Sequence, residues 1–235
     1  TTTFVTQATG TGRYYSYPAT STSTDLVSNT TVTHKYKFDN FGNMTSDTAF
    51  IGSDAVVATT NTYVSVGGSV IPNKLGTSKT SSQYTAQATF GTYKTFGYNA
   101  KGNLVTTIDF ADQAKPVTTT YEVNTYGLPL STTVSATGMA ARTSYTDYDI
   151  KFRLPVRSKN ALGHKSARTF NYALGVPLSD SLPNGLQTIY AYDEFGRLKS
   201  TTVPQGYTIT QSLNWPRTGN PAGTIFSSTT TTPGK

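Results

Sequence analysis

Cysteine is absent from this 235-residue chain. The absence excludes disulfide bonds, thiolate-bound metals and a cysteine nucleophile. Histidine is scarce, because His34 and His164 are the only two and lie far apart in the sequence. A histidine-rich metal site or proton relay is therefore not expected. No run of about 18 apolar residues occurs, so no membrane span is predicted, and no basic-then-apolar start indicates a signal peptide.

Charge is also scarce, and it is not clustered. Charged residues make up 13% of the chain, about half of the usual ~25%. The 19 basic and 12 acidic residues give a formal net charge of +7, but the basic residues are scattered along the sequence. Because no basic cluster of five or more occurs, binding to nucleic acid is not predicted. The acidic residues are too few for a calcium-binding repeat, so no metal and no cofactor are expected.

Threonine and aromatic residues occupy the place of the missing charge. Aromatic residues make up 12% of the chain, with 16 Tyr and 11 Phe. Disordered segments are usually highly charged and poor in aromatics, so this composition indicates a folded chain. Threonine, tyrosine and phenylalanine all favour β-strands, and the 20 glycines indicate frequent turns. The composition therefore predicts strands and turns rather than helices.

One pattern recurs along the chain: aromatic-x-aromatic-Asp/Asn-x-x-Gly-x-Leu. The clearest copy spans residues 190–198. One copy replaces its glycine with Phe152, and another has one additional residue before Gly175. Such internal similarity is the signature of a repeat architecture. The copies occupy residues 36–44, 96–104, 121–129, 148–154, 170–177 and 190–198.

An Asp or Asn followed three residues later by Gly predicts a type I turn that ends in a left-handed glycine. This turn makes a three-residue hairpin loop. In the clearest copy we expect Tyr192 to face Leu198 and, two residues further out, Tyr190 to face Ser200. The predicted turn residues are Asp39, Gly42, Asn99, Gly102, Asn124, Gly127, Asp149, Asn171, Gly175, Asp193 and Gly196. The predicted aromatic and aliphatic hairpin face comprises Tyr36, Phe38, Met44, Phe96, Tyr98, Leu104, Tyr190, Tyr192 and Leu198.

A lone hairpin is marginally stable, so the repeats are expected to pair side by side. The predicted fold is all-β: hairpins stacked into a curved, spiralling antiparallel sheet, a partial β-shell, with little or no helix. Residues 1–235 are expected to form one repeat segment of a larger shell. Clear repeats are predicted at 34–50, 94–110, 119–135, 145–160, 168–182 and 188–204, and degenerate ones at 1–33, 51–93 and 207–235. Within the degenerate stretch, strands are predicted near 56–66 and 83–95, separated by a turn-rich stretch from Gly67 to Gly76.

Residues 190–198, followed by Thr201 and Thr202, resemble the tyrosine–aspartate (YD) repeat of Rhs proteins. Residues 153–164 and 180–185 resemble bacterial Rhs and Tc-toxin-like chains. The resemblance extends to the teneurins, and it implies a spiralling sheet that closes into a hollow shell around a variable C-terminal toxin domain. Rhs toxins also carry an aspartyl self-cleavage motif with an Asp-Pro dipeptide, which this chain lacks.

The resemblance implies a non-enzymatic, structural segment of a secreted or cell-surface bacterial protein, whose wall encapsulates a toxin or other cargo. Its expected partners are the remainder of the parent chain and that cargo, and free sheet edges predict self-association. The alternative is an adhesin or polysaccharide-binding module, because older descriptions of these repeats include carbohydrate binding. Trp215 is then the candidate glycan contact. For the turn Asp and Asn residues we expect capping of turns rather than metal binding or catalysis.

Overall fold

A computed structural model describes residues 1–8, 14–69, 73–82, 90–214 and 227–231. These residues form strands and turns, and no helix occurs among them. The predicted all-β antiparallel fold is confirmed. The strands are β1 (Thr2–Ala8), β2 (Tyr14–Asp25), β3 (Thr30–Phe38), β4 (Met44–Ile51), β5 (Asp54–Val64), β6 (Lys74–Ser82), β7 (Phe90–Tyr98), β8 (Leu104–Asp109), β9 (Val117–Val123), β10 (Pro129–Ala136), β11 (Arg142–Tyr148), β12 (Pro155–Lys159), β13 (Lys165–Asn171), β14 (Val176–Ser181), β15 (Gln187–Tyr192), β16 (Leu198–Thr202), β17 (Thr208–Asn214) and β18 (Ser227–Thr231).

The contacts within the chain divide it into two compact units. Unit 1 comprises Thr1–Val123 and Thr132–Arg142, and unit 2 comprises Asn124–Ser131 and Thr143–Lys235. In unit 1, each strand from β1 to β8 pairs antiparallel with the strand that follows it in sequence. In unit 2, the same sequential pairing runs from β11 to β18. Each unit is thus a meander of adjacent hairpins.

The degenerate stretch between the first two clear repeats contains more strand than the sequence indicated. The predicted strand near 56–66 corresponds to β5, and part of the strand predicted at 83–95 corresponds to β7. Residues 83–89 of that prediction lie outside the described residues. The region between Gly67 and Gly76 was expected to be rich in turns, but β6 already begins at Lys74. Gly76 therefore lies inside a strand rather than in a turn.

A β-bulge follows the turn in the hairpins of the clear repeats. In the hairpin of β15 and β16, Tyr192 opposes Leu198, but Ala191 opposes Ser200, so Lys199 is an additional, unpaired residue. Tyr190 consequently opposes Thr201, and the expected pairing of Tyr190 with Ser200 is wrong. Register shifts occur in the same place in the hairpins β3–β4, β7–β8, β11–β12 and β13–β14. Bulges bend the strand and increase its twist, so each of these five hairpins carries a built-in bend.

The sheet has almost no core of its own. Among the described residues, Ala49 is the only apolar side chain that is buried, at 8% exposure. Many large apolar side chains remain exposed, including Tyr126, Ile150 and Phe195 at 73%, 93% and 79%. Globular domains instead bury one side of each sheet against a second layer. Neither unit supplies such a layer among the described residues, so most apolar side chains stay in contact with solvent.

The abundant threonine stabilises the pairing between strands. Threonine hydroxyls of opposing residues hydrogen-bond across neighbouring strands, as between Thr24 and Thr31 at 3.0 Å and between Thr202 and Thr208 at 2.9 Å. Cross-strand pairs of this kind contribute about 0.2–1 kcal/mol each. Hydroxyl pairing therefore stabilises strands whose apolar contacts are few, and this explains how so polar a chain forms a sheet.

Candidate functional site

The turn between β15 and β16 shows how the repeated pattern folds. The Asp193 carbonyl oxygen accepts the Gly196 N–H at 3.0 Å, and the Asp193 N–H donates to the Arg197 carbonyl oxygen at 3.0 Å. Gly196 has a φ of +77°, the left-handed conformation that completes the hairpin loop. Asp193 Oδ1 accepts the N–H groups of Phe195 and Arg197 at 2.9 and 3.0 Å. Backbone and carboxylate together close this turn.

The second carboxylate oxygen of the turn is also used. Asp193 Oδ2 accepts Arg197 Nε at 2.6 Å, and in the turn after β3 Asp39 Oδ2 accepts Asn43 Nδ2 at 2.9 Å. The Arg197 backbone N–H, more than any other group, holds the pKa of Asp193 below its ordinary value. At Asp39 burial raises the pKa, but the hydrogen bonds from Asn43 and neighbouring backbone groups outweigh it, so the pKa is lowered. Both carboxylates therefore act in the ionised form.

Asparagine makes the same turn with one oxygen. Asn99 Oδ1 accepts the N–H groups of Lys101 and Asn103, each at 3.0 Å. Asn124 Oδ1 accepts the Leu128 N–H, also at 3.0 Å. The amide nitrogen of Asn124 is buried and has no hydrogen-bond partner among the described residues. The amide nitrogen can only donate, and the side chain of Leu128, at the position of Arg197 and Asn43 in their turns, offers no acceptor.

Phe152 occupies the position of the glycine in the turn after β11. It has a φ of +54°, a conformation that is uncommon for any residue except glycine. Its ring contacts Tyr126 of the preceding turn, with the ring centroids 5.5 Å apart. The Asp149 N–H donates to Leu154, one residue beyond the usual acceptor, so this turn is one residue longer than the sequence indicated. As a result Tyr148 opposes Pro155 rather than Leu154.

The strain at Phe152 gives a direct prediction. Phe152→Ala keeps the left-handed backbone and removes the ring contact with Tyr126, whereas Phe152→Gly removes both the contact and the strain. Because the left-handed conformation costs a non-glycine residue about 1–2 kcal/mol, we expect the glycine variant to be more stable than the alanine variant by about 1 kcal/mol. Urea denaturation of the two proteins measures the difference. An alanine variant at least as stable as the glycine variant would contradict this explanation.

The turn after β13 accommodates its additional residue locally. The Gly175 N–H donates to the Asn171 carbonyl oxygen at 2.8 Å, four residues back instead of three. Gly175 keeps the left-handed conformation, with a φ of +70°. Beyond the turn Phe170 opposes Pro177 and Thr169 opposes Ser179, so the two strands stay paired across the bulge.

The opposite end of the hairpins in unit 2 uses the same kind of turn, which the sequence analysis did not assign. Asn160 caps the turn after β12, and its Oδ1 accepts the His164 N–H at 3.0 Å. The turns after β14 and β16 begin at Leu182 and Val203 and reach left-handed Gly185 and Gly206. In each of these two turns a proline follows the first residue. The signal was therefore present as x-Pro-x-Gly, because proline favours the second position of type I turns.

Apolar side chains of neighbouring hairpins lie close to the turn glycines. A Cβ atom on Gly196 would lie 3.9 Å from the Leu174 side chain, and one on Gly42 would lie 3.7 Å from the Tyr15 ring. Phe38 packs on Tyr17 of β2, with the ring centroids 4.4 Å apart. The aromatic residues of the pattern thus contact the neighbouring strand as well as the partner strand of their own hairpin.

Tyrosine hydroxyls connect successive hairpins. Tyr98, which precedes the turn at Asn99, donates to the Leu75 carbonyl oxygen at 3.0 Å. Tyr63 donates to the Met44 carbonyl oxygen at 3.0 Å. Burial raises the pKa of the Tyr98 hydroxyl, which therefore stays protonated and able to donate. The hydroxyl explains why the pattern uses tyrosine and not only phenylalanine at this position.

Removal of the Tyr98 hydroxyl tests this connection. Tyr98→Phe should lower the free energy of unfolding by about 1 kcal/mol, because it removes the donor to Leu75 while it keeps the ring. Tyr14→Phe in the same unit is the matched control, since Tyr14 is 71% exposed, and its effect should stay within about 0.5 kcal/mol. Chemical denaturation compares the two variants. Equal effects would show that the hydroxyl of Tyr98 is not a structural contact.

Opposite charges face each other across neighbouring strands. Arg168 of β13 opposes Asp180 of β14, and its Nη2 donates to Asp180 Oδ2 at 3.0 Å. The Tyr190 hydroxyl donates to the same oxygen at 3.1 Å. The hydrogen bond to Asp180 raises the pKa of the Arg168 guanidinium, while burial, followed by the bond to Asp180, raises the pKa of Tyr190. The group is a satisfied structural pair with no free acid or base.

The remaining candidate residues do not converge on a reactive site. His34 Nδ1 lies 2.8 Å from Asp47 Oδ1, and its ring stacks on Tyr36. No group of three metal-ligating side chains occurs in the described part of the chain. A helix with the length and apolar character of a membrane span is likewise absent from the residues that the structure describes. Trp215, the candidate glycan contact, lies outside the described residues, so glycan binding stays a prediction.

One face of unit 2 has a shallow cleft of about 500 Å³ over β11, β12 and β13. Tyr145, Arg157, Lys159 and Lys165 are among the residues that line it. Tyr145 opposes Lys159, and Lys159 opposes Lys165, so these three side chains share one face of the sheet. Lys159 Nζ lies over the Tyr145 ring, 5.4 Å from its centroid. This cleft is therefore basic, with one aromatic ring beside it.

Residues 177–208 match the family model described as RHS Repeat. The matched segment begins in β14, contains the turn at Asp193 and ends at the first residue of β17. No curated protein is significantly similar to the chain in sequence.

Solved structures that are similar to the chain in fold include three with the following scores. The crystal structure of TcdB2-TccC3 without its hypervariable C-terminal region has a TM-score of 0.52 at 10% identity and covers 90% of this chain. TcdB2-TccC3-Cdc42 has a TM-score of 0.51 at 10% identity, and TcdB2-TccC3-TEV has 0.50 at 10% identity, each covering 91% of this chain. In all three cases the chain spans 14% of the length of the matched chain. At this identity the similarity shows the fold alone.

Proposed function

We propose that this chain, which carries an RHS repeat in residues 177–208, forms part of the wall of a larger shell that encloses a cargo. For residues 177–208 the match confirms the resemblance to Rhs/YD repeats predicted from the sequence, and from it we infer that the chain is a structural repeat segment. Enclosure of a toxin, a non-enzymatic role and a secreted or cell-surface location belong to the proposal. So does association with the remainder of the parent chain.

The near absence of a core carries this proposal. Only one apolar side chain is buried among the described residues, while large apolar side chains such as Ile150 and Phe195 are exposed. A sheet of this kind gains stability when further chain covers its faces. A wall segment, with more repeats beside it and cargo on one side, has this requirement. A self-sufficient binding domain would instead be expected to bury its own core.

The bends in the hairpins support a wall that closes. Bulges in hairpins of the clear repeats add bend and twist of the same kind at several places along the chain. Sheets that close on themselves need such bends, because a flat sheet leaves its edges open. Of the structures similar in fold, one lacks a hypervariable C-terminal region. By analogy, we propose that the enclosed cargo here is a variable C-terminal part of the parent protein.

Protease protection in the whole protein that carries this segment tests the proposal. The cargo region should resist cleavage until the wall is weakened by Gly196→Val, and then be cut at protease concentrations that leave the unmodified protein intact. Lys199→Gln, on the exposed bulge of the same hairpin, is the matched control and should leave the protection unchanged. Circular dichroism verifies that both variants remain folded. Rapid cleavage of the cargo region in the unmodified protein would contradict enclosure.

A further inference from the structure

The basic cleft of unit 2 departs from the charge pairing found elsewhere in the chain. Lys94 opposes Asp109, with an ion pair at 2.7 Å, and Arg168 opposes Asp180 in the same manner. Lys159, in contrast, opposes Lys165. Like charges directly opposite each other destabilise a sheet. A local arrangement that costs stability without an evident structural gain indicates a functional site.

No acid neutralises these cations within the described part of the chain. Arg157, Lys159 and Lys165 are all exposed, and none of them forms an ion pair with a described residue. Arg157 opposes Asp147, the one acid that lines the cleft, but the two side chains do not come within ion-pair distance. The cleft therefore presents three cations and one carboxylate to solvent, and its charge complements an anionic ligand.

The geometry of the cleft selects among anionic ligands. Lys159 Nζ lies over the Tyr145 ring at 5.4 Å, so a cation already occupies the ring face on which a base or a sugar would stack. Arg157 and Lys159 are alternate residues of β12, and their Cα atoms are about 6.8 Å apart along the strand. Alternate side chains of an extended peptide repeat at the same distance of about 6.8 Å. The spacing thus matches a peptide better than a stacking polymer.

We propose that this cleft binds an extended peptide segment with acidic residues at alternate positions. The carboxylates of the peptide lie against Arg157 and Lys159, and Lys165 adds a third positive charge from the neighbouring strand. The identification of the peptide as part of the enclosed cargo rests on the proposed wall function. The binding of the peptide does not rest on the wall function. A negative result in the peptide-binding experiment therefore leaves the wall function standing, and a negative result in the protease experiment leaves the peptide binding standing.

Fluorescence anisotropy with the 235-residue chain tests the proposal. The probe is a labelled peptide of four Glu-Thr dipeptides, and the competitor of equal composition has its four Glu residues in one block. The alternating peptide should bind more tightly than the block peptide and more weakly at high salt. K159Q/K165Q should weaken binding roughly fivefold, because two exposed charge contacts are lost.

The double variant K151Q/K199Q removes the same charge from exposed sites of unit 2 outside the cleft. It should leave the affinity for the alternating peptide almost unchanged. An equal loss in both double variants would overturn the proposal, because only net charge would then matter. A sulfated oligosaccharide or a single-stranded DNA that binds more tightly than the peptide, and loses binding in K159Q/K165Q, would also overturn it. Absence of binding to either peptide would overturn it as well.

Discussion

Gly196→Val is expected to lower the free energy of unfolding by about 2 kcal/mol or more. Gly196 has a φ of +77°, and the left-handed conformation costs a side-chain-bearing residue about 1–2 kcal/mol. A β-branched residue is a genuine outlier in this region, so valine should exceed that range. The Leu174 side chain lies 3.9 Å from the position of a new Cβ. Alanine therefore fits in space, while the branched methyl groups of valine crowd Leu174.

A graded series at one position separates backbone strain from crowding. Asparagine tolerates the left-handed conformation, so the order of stability should be glycine, asparagine, alanine and then valine. Gly97→Ala is the matched control, because Gly97 lies in β7 outside the left-handed region and a Cβ there makes ordinary contact with Thr106. This control should be neutral or stabilise the protein by about 0.4–1 kcal/mol. Denaturant titration measures the free energy of unfolding of each variant. If Gly196→Ala and Gly196→Val changed it as little as Gly97→Ala does, the left-handed turn at Gly196 would be contradicted.

Acid should unfold the protein through its turns. Hydrogen bonds lower the pKa of Asp39, Asp149 and Asp193 below the ordinary value of 3.8, and at Asp149 the Leu154 backbone N–H has the largest influence. A carboxyl whose folded pKa is depressed stabilises the fold above its unfolded pKa, and that contribution is lost as the pH falls through the folded pKa. The free energy of unfolding should therefore be level above about pH 5. As the pH drops below 3.8, the ordinary pKa of an aspartate carboxyl, the free energy of unfolding should decrease.

The native asparagine turns indicate the control for this experiment. Asn99 and Asn124 cap the same turn through one oxygen. Substitution of Asp39, Asp149 and Asp193 by asparagine should therefore remove titration while the turns persist. Below pH 4 the triple variant should take up as many as three fewer protons on unfolding than the unmodified protein. Because the number of protons taken up sets the pH slope of the free energy of unfolding, this slope should be smaller in the variant. Denaturation from pH 2 to pH 7 measures the slope. An unchanged acid slope in the triple variant would show that other groups cause the acid unfolding.

The sequence predicted the repeat because its turn depends on local chemistry. Asp193 and Gly196 carry both the hydrogen-bond acceptor and the left-handed backbone, so the spacing alone indicates the turn and the pairing of Tyr192 with Leu198. The same logic extends to Asp39 and Asn99. Patterns that depend on three or four consecutive residues can be recognised without knowledge of distant contacts.

Features that depend on neighbouring strands escaped the sequence analysis. The unpaired Lys199 has no signature of its own, because a bulge is a property of two strands and not of one. The left-handed Phe152 likewise depends on Tyr126, which precedes it by a whole hairpin. The basic cleft is divided between β11, β12 and β13. Basic residues that are scattered along the sequence can still meet in the fold, because cross-strand register brings Lys159 and Lys165 together.

The bulge at Lys199 gives one strand of its hairpin one residue more than the partner strand while the pairing continues on both sides. Side chains alternate between the two faces of a strand, so the loss of one residue exchanges the faces of all residues beyond it until the next irregularity. Deletion of the unpaired Lys199 is the exception, because it would leave Ala191 opposite Ser200 and Thr202 opposite Thr208, so the bend is lost while the register is kept. Lengths can therefore vary freely within the loops, as the longer turns at Asp149 and Asn171 illustrate. Within the regularly paired parts of the strands, away from the bulges, only changes by an even number of residues preserve which side chains face each side of the sheet.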